Sequence, residues 1–265
     1  RIFLSNLFYY FFGRFTGMFI YFFPACFILG LFFFQRKEPE DWIVLVAIVV
    51  AILVYTVLAP DNYFGGSGSV GNRYFFSVYP FFFFLGFRQR IFKGFLVPVA
   101  VALVFLSGVY IDSLYHSSVP RTASLSFPIR LFPPEKTQYQ SLPTNENPRA
   151  FGKVLHDGEK TYQVYFLNDH FYAIEGDFFW TNGDRPLELF LAAPQKVKAF
   201  RVVLLSKVSN NRVTLDIEYQ RKRMKLEAER FSIVNLKRIE GLKINDKYVY
   251  YLRIKSSRYW TSGAK

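Results

Sequence analysis

Long apolar runs that carry almost no charge dominate the first 115 residues of the chain. A helix needs about 20 mostly apolar residues to cross the roughly 30 Å hydrocarbon core of a bilayer. Four runs approach that length and predict membrane spans at residues 15–34, 42–58, 74–87 and 95–111. The third run contains Pro80, which predicts either a kinked, tilted crossing or a re-entrant segment. Residues 1–14 are aromatic and predict an interfacial helix or the tail of an earlier span.

The pattern changes after residue 115. Residues 116–148 are rich in Pro, Ser and Thr and predict an extended connector. Short runs with strand character follow at 162–167, 187–192, 200–206, 212–219, 230–236 and 248–255. Several of them alternate apolar and polar residues, as strands with one wet face do, and Asn182-Gly183 and Asn245-Asp246 mark turns. The sequence therefore predicts a membrane α-helical bundle of about four spans (residues 1–115), the connector, and an all-β domain (149–265) folded as an antiparallel sandwich.

Composition separates the same two halves. Residues 1–115 hold 23 of the 33 phenylalanines but only 13 of the 53 charged side chains. The single cysteine, Cys26, excludes a disulfide framework and a cysteine metal cluster. Three scattered histidines do not predict a metal centre, so no metal and no cofactor is identified, and binding of a divalent cation is left open. The chain opens within an aromatic run at Arg1 rather than at Met, which we interpret as a piece of a longer protein.

The basic residues of the loops predict the orientation of the chain. Lys and Arg near membrane ends are retained on the cytoplasmic side. Residues 35–41 and 88–93 contain such cations, so residues 59–73 and everything after 111 are expected outside. A bacterial inner or cytoplasmic membrane protein with an extracytoplasmic β domain follows. Its net charge of +13 then favours anionic lipid, lipid phosphate or acidic glycan over nucleic acid, although an ordinary solvated surface explains the charge equally well.

The loop at residues 59–73 carries the clearest chemical pattern. Gly66, Gly68 and Gly71 fit the spacing GxGxxG, but membrane spans flank it where a dinucleotide site needs a strand and a helix. Glycines let backbone N–H groups turn towards an anion, and Arg73 beside them can form a forked contact to phosphate. A lipid-phosphate clamp is one interpretation of this loop. The other is a flexible loop in which Arg73 only reaches towards lipid headgroups.

The stretch from Tyr63 to Pro80, YFGGSGSVGNRYFFSVYP, resembles a segment of bacterial multi-span glycosyltransferases of the C-type fold. The stretch from Phe12 to Pro24 and the tail motifs NDH (168–170), FWTNG (179–183) and SNNRV (209–213) are also similar to that family. These enzymes use polyprenyl-phosphate sugars on the extracytoplasmic face. The resemblance implies that the donor phosphate is held by Arg73, Asn72, Gly66, Gly68, Gly71, Tyr74, Asp61 and Arg14.

The chain departs from this family where catalysis is concerned. Such enzymes place their catalytic acid in a first extracytoplasmic loop, which this chain lacks. The carboxylates of its membrane half that are expected outside are Asp61 and Asp112, so the catalytic residues are unknown. The resemblance therefore implies the C-terminal part of a glycosyltransferase-like protein. The alternative is a non-catalytic structural or docking subunit whose spans pack against partner membrane proteins.

The β domain offers candidate carbohydrate contacts. Sugars stack their apolar faces on aromatic rings, while acids and amides bind their hydroxyl groups. Asp169, His170 and Trp180 are the candidates, with Tyr165, Tyr172, Phe179, Glu175, Asp177 and Trp260 as further members of the set. The alternative for each aromatic residue is a place in the core of the domain.

Overall fold

The fold is described from a computed structural model. It describes residues 2–65, 71–85, 95–106, 127–142, 153–157, 160–168, 170–175, 178–181, 183 and 185–258. The chain divides into two compact units, Arg1–Pro143 and Thr144–Lys265. The first unit is helical and the second is built of strands. Residues 127–142, within the predicted connector, lie in the first unit.

The helical unit contains one long helix and several short ones. The α-helices are α1 (Ile2–Phe12), α2 (Met18–Tyr21), α3 (Phe23–Phe34), α4 (Pro39–Leu58), α5 (Phe81–Phe84) and α6 (Leu96–Phe105), and two 3₁₀ helices follow at Ile129–Leu131 and Lys136–Gln138. The long helix, α4, has a well-defined start. Pro39 occupies its first turn, the Glu38 side chain accepts a backbone N–H of that turn, and Asp41 accepts the Glu38 N–H at 2.9 Å.

The prediction of about four membrane spans is wrong. Within the described residues α4 alone is long and apolar enough to cross a membrane, with a mean hydropathy of 2.6. The predicted span 15–34 is interrupted at Phe22, and α3 begins anew there with Pro24 in its first turn. In the predicted span 74–87, Pro80 precedes a helix of only four residues. Helix α6 covers 10 residues of the last predicted span, and residues 107–111 lie outside the described part.

Aromatic contacts join the short helices into one core. The ring of Tyr10 in α1 meets Phe75 edge-on, with the centroids 4.7 Å apart. Phe22, between α2 and α3, stacks on Tyr79 at 4.5 Å. Offset and edge-to-face ring pairs of this kind stabilise a core beyond the area that they bury. Residues 74–79, although not helical, are therefore fixed between α1 and the α2–α3 junction.

The second unit is a set of antiparallel strands. Their bounds are β1 (Lys153–Asp157), β2 (Lys160–Phe166), β3 (Phe171–Glu175), β4 (Phe178–Thr181), β5 (Leu187–Ala193), β6 (Ala199–Leu205), β7 (Asn211–Ile217), β8 (Gln220–Leu226), β9 (Phe231–Lys237), β10 (Leu242–Ile244) and β11 (Lys247–Ser256). One sheet has the order β1-β2-β5-β11-β7-β8, with β10 also pairing with β11. Strands β3 and β4 form one two-stranded sheet, and β6 and β9 form another. The fold class is therefore a helical unit with a single candidate span, in place of the predicted four-span bundle, followed by this antiparallel β region.

The core of the β unit lies on one face of the large sheet. Apolar residues of β5, β7 and β11, such as Leu189, Leu215 and Tyr250, are fully buried there. Residues of β6 and β9 pack against them, with the ring of Phe200 5.0 Å from that of Tyr250. The Tyr250 hydroxyl accepts the backbone N–H of Val197 at 2.7 Å, so this buried polar group is satisfied. The alternation predicted for residues 213–219 reflects this burial, because every second residue of β7 faces the core.

We expect Leu215→Ala to lower the free energy of unfolding of the β unit by about 2–5 kcal/mol, because it leaves a cavity in a fully buried part of the core. Val203→Ala is the matched control, since Val203 on β6 is 54% exposed and should change the free energy by at most about 0.5 kcal/mol. Urea unfolding of the full chain, followed by the circular dichroism of the strands, measures both. Equal shifts for the two variants would contradict this description of the core.

Candidate functional site

A tight turn follows α1 and is closed by two backbone hydrogen bonds. The Gly13 N–H donates to the Tyr9 carbonyl at 2.7 Å, and the Gly17 N–H donates to the Gly13 carbonyl at 3.0 Å. Gly13 leaves no room for a side chain, because a Cβ there would meet Oε1 of Glu135 and lie 2.6 Å from the Tyr9 carbonyl oxygen. The turn therefore depends on glycine for close approach.

The carboxylate of Glu135 sits in this turn. Its Oε1 accepts the backbone N–H groups of Phe15 at 2.8 Å and of Thr16 at 2.7 Å, and the Thr16 hydroxyl at 2.9 Å. Hydrogen bonds to a charged acceptor are about twice as strong as those between neutral groups. The Glu135 side chain is fully buried, and Oε2 has no hydrogen-bond partner among the described residues. Glu135 thus joins residues 13–17 to a segment about 120 positions later in the chain.

Burial decides the protonation of Glu135. Removal from water raises the pKa of this carboxyl from 4.5 to about 7, although the hydrogen bonds from Thr16 and Phe15 act in the opposite direction. The carboxyl therefore changes charge near neutral pH. A small change in pH can therefore change the charge of this group. Acids with a shifted pKa occur both in functional sites and in structural hydrogen-bond networks.

A hydrogen-bond chain leads from Glu135 to Tyr63. The Tyr63 hydroxyl lies 3.1 Å from the Thr16 hydroxyl, and both groups are buried. Because the Thr16 hydrogen is given to Glu135, Tyr63 is the donor in this second bond. Burial, together with the nearby Glu135, raises the pKa of Tyr63, which keeps its hydroxyl protonated. The chain of donors thus runs from Tyr63 through Thr16 to the carboxylate.

Arg14 is buried beside this turn and not exposed to a ligand. Its guanidinium donates to the carbonyls of Phe132 at 2.9 Å and Arg130 at 3.2 Å, and its backbone N–H donates to the carbonyl of Pro133 at 3.0 Å. These are bonds to carbonyl groups at the end of the 3₁₀ helix and beyond it. Arg14, which the resemblance places at the donor phosphate, is used here to hold residues 130–133.

The glycine-rich loop is closed by Arg73. The backbone N–H of Arg73 donates to the Phe64 carbonyl at 2.9 Å, and its guanidinium donates through Nη2 to the Gly65 carbonyl. Gly65 and Gly71 have φ values of +97° and +73°, which favour glycine at both ends of the loop. The Arg73 side chain is exposed, and Gly66 and Gly68 lie outside the described residues. The Arg73 side chain therefore links the two ends of the loop, which are 8 positions apart in the sequence.

The other predicted donor-binding residues occupy different environments. Asn72 is buried, its Oδ1 accepts the Phe75 N–H at 3.3 Å, and its Nδ2 has no partner among the described residues. Tyr74 is partly exposed and stacks on Tyr55 at 5.8 Å, with the Arg73 guanidinium 5.9 Å from its ring. Asp61 is exposed, and its carbonyl accepts the Ser141 hydroxyl at 3.2 Å. Arg73, Asn72 and Tyr74 thus follow one another at the same end of the loop.

Gly71 brings the loop close to the Glu135 turn. A Cβ on Gly71 would lie 3.0 Å from the Cβ of Tyr21, and the Tyr21 hydroxyl donates to the Arg14 carbonyl at 2.8 Å. The far end of the loop and the turn after α1 therefore share Tyr21 as a neighbour. Glu135, Thr16 and Tyr63 were not among the predicted site residues. The sequence held only a weak signal for them, the closely spaced Gly13 and Gly17.

The carbohydrate candidates of the β unit form no described cluster. Asp169 and Trp260 lie outside the described residues, and His170 is half-buried with its backbone N–H 3.4 Å from Oδ1 of Asn168. Trp180 is half-buried, with the Lys207 ammonium 5.3 Å from its ring. Phe179 packs edge-on against the buried Phe166 at 5.2 Å, which places it with the core.

No family model and no curated protein matches this chain. The described residues also contain no group of three or more His, Cys, Asp or Glu side chains that could hold a metal ion.

We expect the stability of the helical unit to depend on pH through Glu135. The folded-state pKa of about 7 lies above the ordinary value of 4.5. The free energy of unfolding therefore falls as the pH rises from 4.5 to about 7, and it is constant above that pH. Each unit of pKa difference corresponds to about 1.4 kcal/mol. Glu135→Gln keeps the shape, removes the titration and should flatten this dependence.

Urea unfolding of the full chain in detergent, from about pH 4.5 to about pH 8, measures the effect. Glu40→Gln is the control, since Glu40 is an exposed acid of the same unit and its loss should leave the slope in place. A slope that survives in Glu135→Gln would show that another group titrates.

We expect Gly13→Ala to destabilise the helical unit, because the new Cβ would overlap Glu135 Oε1 and crowd the Tyr9 carbonyl. Overpacking of this kind costs about 1–3 kcal/mol. Gly30→Ala is the matched control, because nothing lies within 4 Å of a Cβ at that position of α3. Thermal unfolding of both variants tests the difference, and the idea of a tight turn would be wrong if they unfold at the same temperature.

Proposed function

We propose that the chain is the C-terminal part of an integral membrane glycosyltransferase-like protein, which uses a lipid-phosphate-linked sugar on the extracytoplasmic face of the membrane. The observation that carries the proposal is the exposed Arg73 at the end of a glycine-rich loop. Of the five N–H groups of its guanidinium, the described hydrogen bonds use one, the bond from Nη2 to Gly65. The remaining fork suits the oxygen atoms of a phosphate.

The neighbours of Arg73 support this role. The bond to Gly65 fixes the guanidinium before a ligand arrives, which lowers the entropy lost on binding. Asn72 beside it carries a buried amide Nδ2 with no partner among the described residues, a donor that an oxygen atom of the ligand could reach only after a rearrangement. Tyr74 supplies a partly exposed ring against which the lipid or sugar can pack. Gly71 ends the loop with a φ of +73°, and Gly66 and Gly68, which lie outside the described residues, would add backbone N–H groups as further donors.

The surface of the helical unit supports a place in the membrane. Helix α4 is 20 residues long, and only 22% of its apolar window is buried within the protein. Large apolar side chains are also exposed on α1 and α6, among them Leu4, Phe8 and Leu96. Exposed apolar areas of this extent need lipid or a partner to cover them. We place α4 across the membrane and the β unit on its extracytoplasmic side.

The structure favours one further candidate, a non-catalytic structural or docking subunit of a membrane complex. Among the described residues of the helical unit Glu135 is the buried acid, and its Oε1 is already occupied by three donors. A group with no exposed surface cannot touch a substrate without rearrangement. In this second function the exposed apolar side chains would contact partner helices.

We expect the purified protein to retain polyprenyl phosphate, and Arg73→Gln to weaken its binding. Loss of a charged hydrogen bond costs about 1.5–3 kcal/mol, which corresponds to about 10- to 150-fold in affinity. Native mass spectrometry of the detergent-solubilised full chain, titrated with polyprenyl phosphate, measures this. Arg36→Gln removes an exposed cation on the other loop and is the matched control.

The two candidate functions give different spectra. Bound polyprenyl phosphate that Arg73→Gln loses and Arg36→Gln keeps would support the transferase proposal. Equal affinity in both variants would exclude Arg73 as the phosphate ligand. Protein partners at fixed stoichiometry, without the lipid, would identify the structural subunit.

A further inference from the structure

One face of three neighbouring strands in the β unit is strongly basic. The residues of β7, β8 and β11 that point away from the core occupy nine positions between 212–216, 221–225 and 251–255. They are Arg212, Thr214, Asp216, Arg221, Arg223, Lys225, Tyr251, Arg253 and Lys255. We call these nine residues the basic face. Six of them are cations and one is a carboxylate.

Three of the cations have carboxylate partners. Arg221 forms a forked pair with Asp216, with its Nε 2.6 Å from Oδ1. Lys225 lies 3.4 Å from Glu227, which follows β8. Arg253 lies 3.4 Å from Glu188 on β5. No ion pair is described for the other three, Arg212, Arg223 and Lys255, and all three are exposed.

The strand register places these cations around one hydroxyl. Thr214 on β7 stands opposite Lys255 on one side and Arg223 on the other. Arg212, two positions earlier on β7, stands directly opposite Lys225. Like charges in directly opposed positions destabilise a sheet. The sheet therefore keeps several cations close together, and a bound anion would reduce the repulsion between them.

Protection of a free sheet edge explains only part of this charge. Strand β8 is the last strand of the large sheet, and lysines and arginines on edge strands hinder pairing with another chain. That reason covers Arg221, Arg223 and Lys225. It does not cover Arg212 on β7 or Lys255 on β11, because both strands are paired on each side. The cations of the interior strands therefore need another reason.

An exposed aromatic residue adjoins the basic face. Tyr219, in the turn between β7 and β8, is 99% exposed. It borders an open groove with Asp216, Arg221 and Arg253. Tyrosines are enriched where a protein meets the headgroup region of a membrane, because one end of the side chain is apolar and the other is polar. A free phosphate ion would give no equivalent reason for Tyr219.

We propose that the basic face binds the phosphate headgroups of an anionic lipid bilayer, with Tyr219 entering the headgroup region. The inference rests on the membrane location in the proposed function, and not on sugar transfer. The array of cations along three neighbouring strands suits the repeated phosphate groups of a lipid surface, and α4 supplies a candidate anchor in the same chain. Attraction of this kind is weakened by salt, since charges in water are screened beyond about 10 Å at 0.1 M salt.

The test uses the full chain in lipid nanodiscs, made of phosphatidylcholine alone or with phosphatidylglycerol added. Amide hydrogen exchange of residues 212–225 is compared between the two kinds of disc. We expect slower exchange with phosphatidylglycerol and loss of this protection at high salt. Each Lys or Arg near an anionic surface contributes about a factor of 5, so Arg223→Gln with Lys255→Gln should weaken the association by about 30-fold. Tyr219→Ser should weaken it without changing its dependence on salt.

Lys222→Gln with Lys237→Gln is the matched control. It removes the same charge, but Lys222 stands opposite the buried Leu215 and so lies on the other side of β8, and Lys237 lies on β9. Protection that the control keeps and the first pair loses would support the proposal. Identical exchange in both discs, or equal loss in both variants, would overturn it. Protection by inorganic phosphate or a sulfated glycan in phosphatidylcholine discs, equal to that by phosphatidylglycerol, would overturn it in favour of a soluble anion.

The test also separates this inference from the proposed function. Insertion into the discs, with unchanged exchange at residues 212–225, would overturn the basic face alone. Failure of the chain to enter discs of either composition would overturn the membrane location, and this inference with it. Loss of polyprenyl phosphate binding would leave the lipid protection of the basic face intact.

Discussion

The hydrogen bonds between the Glu135 carboxylate and the backbone of Phe15 and Thr16 hold the helical unit together. The short helices α1, α2 and α3 surround a turn whose N–H groups would otherwise be buried without partners. Such groups cost about as much as a lost hydrogen bond each, so a buried acceptor is required at this place. Arg14 has the complementary role of a donor, because its guanidinium donates to backbone carbonyl groups near Glu135. Polar contacts thus fix the inside of a unit whose outside is largely apolar.

The two proposed sites use positive charge in different ways. Arg73 is a single fixed guanidinium beside a loop that glycine allows to bend, which suits one phosphate group in a defined orientation. The basic face is an array of flexible side chains on a rigid sheet, which suits many phosphate groups without defined orientation. The first arrangement favours selectivity and the second favours location. A chain that handles a lipid-linked substrate would need both properties.

The sequence predicted best what depends on local patterns. Alternation identified β7 and β11 because one face of each strand is buried, and Asn245 was recognised at its turn. The alternation of apolar residues did not identify β8. Its residues QRKRMKL show almost no such alternation because the strand lies at the edge of the sheet. Apolar content also predicted too many spans, since it does not reveal that the chain restarts a helix at Phe22. Glu135 could not be found because its partners are far away in the sequence and are mostly backbone groups.

The distance along the chain between Glu135 and its partners has a consequence for biosynthesis. Residues 2–106 emerge from the ribosome before the segment that completes their polar interior. Until residues 130–138 are made, the turn after α1 lacks its acceptor, and Asn6 lacks its neighbour Gln138. Domains generally fold as units during synthesis. The helical unit therefore completes its polar interior only after this short segment has been synthesised, and its aromatic helices are made before that point.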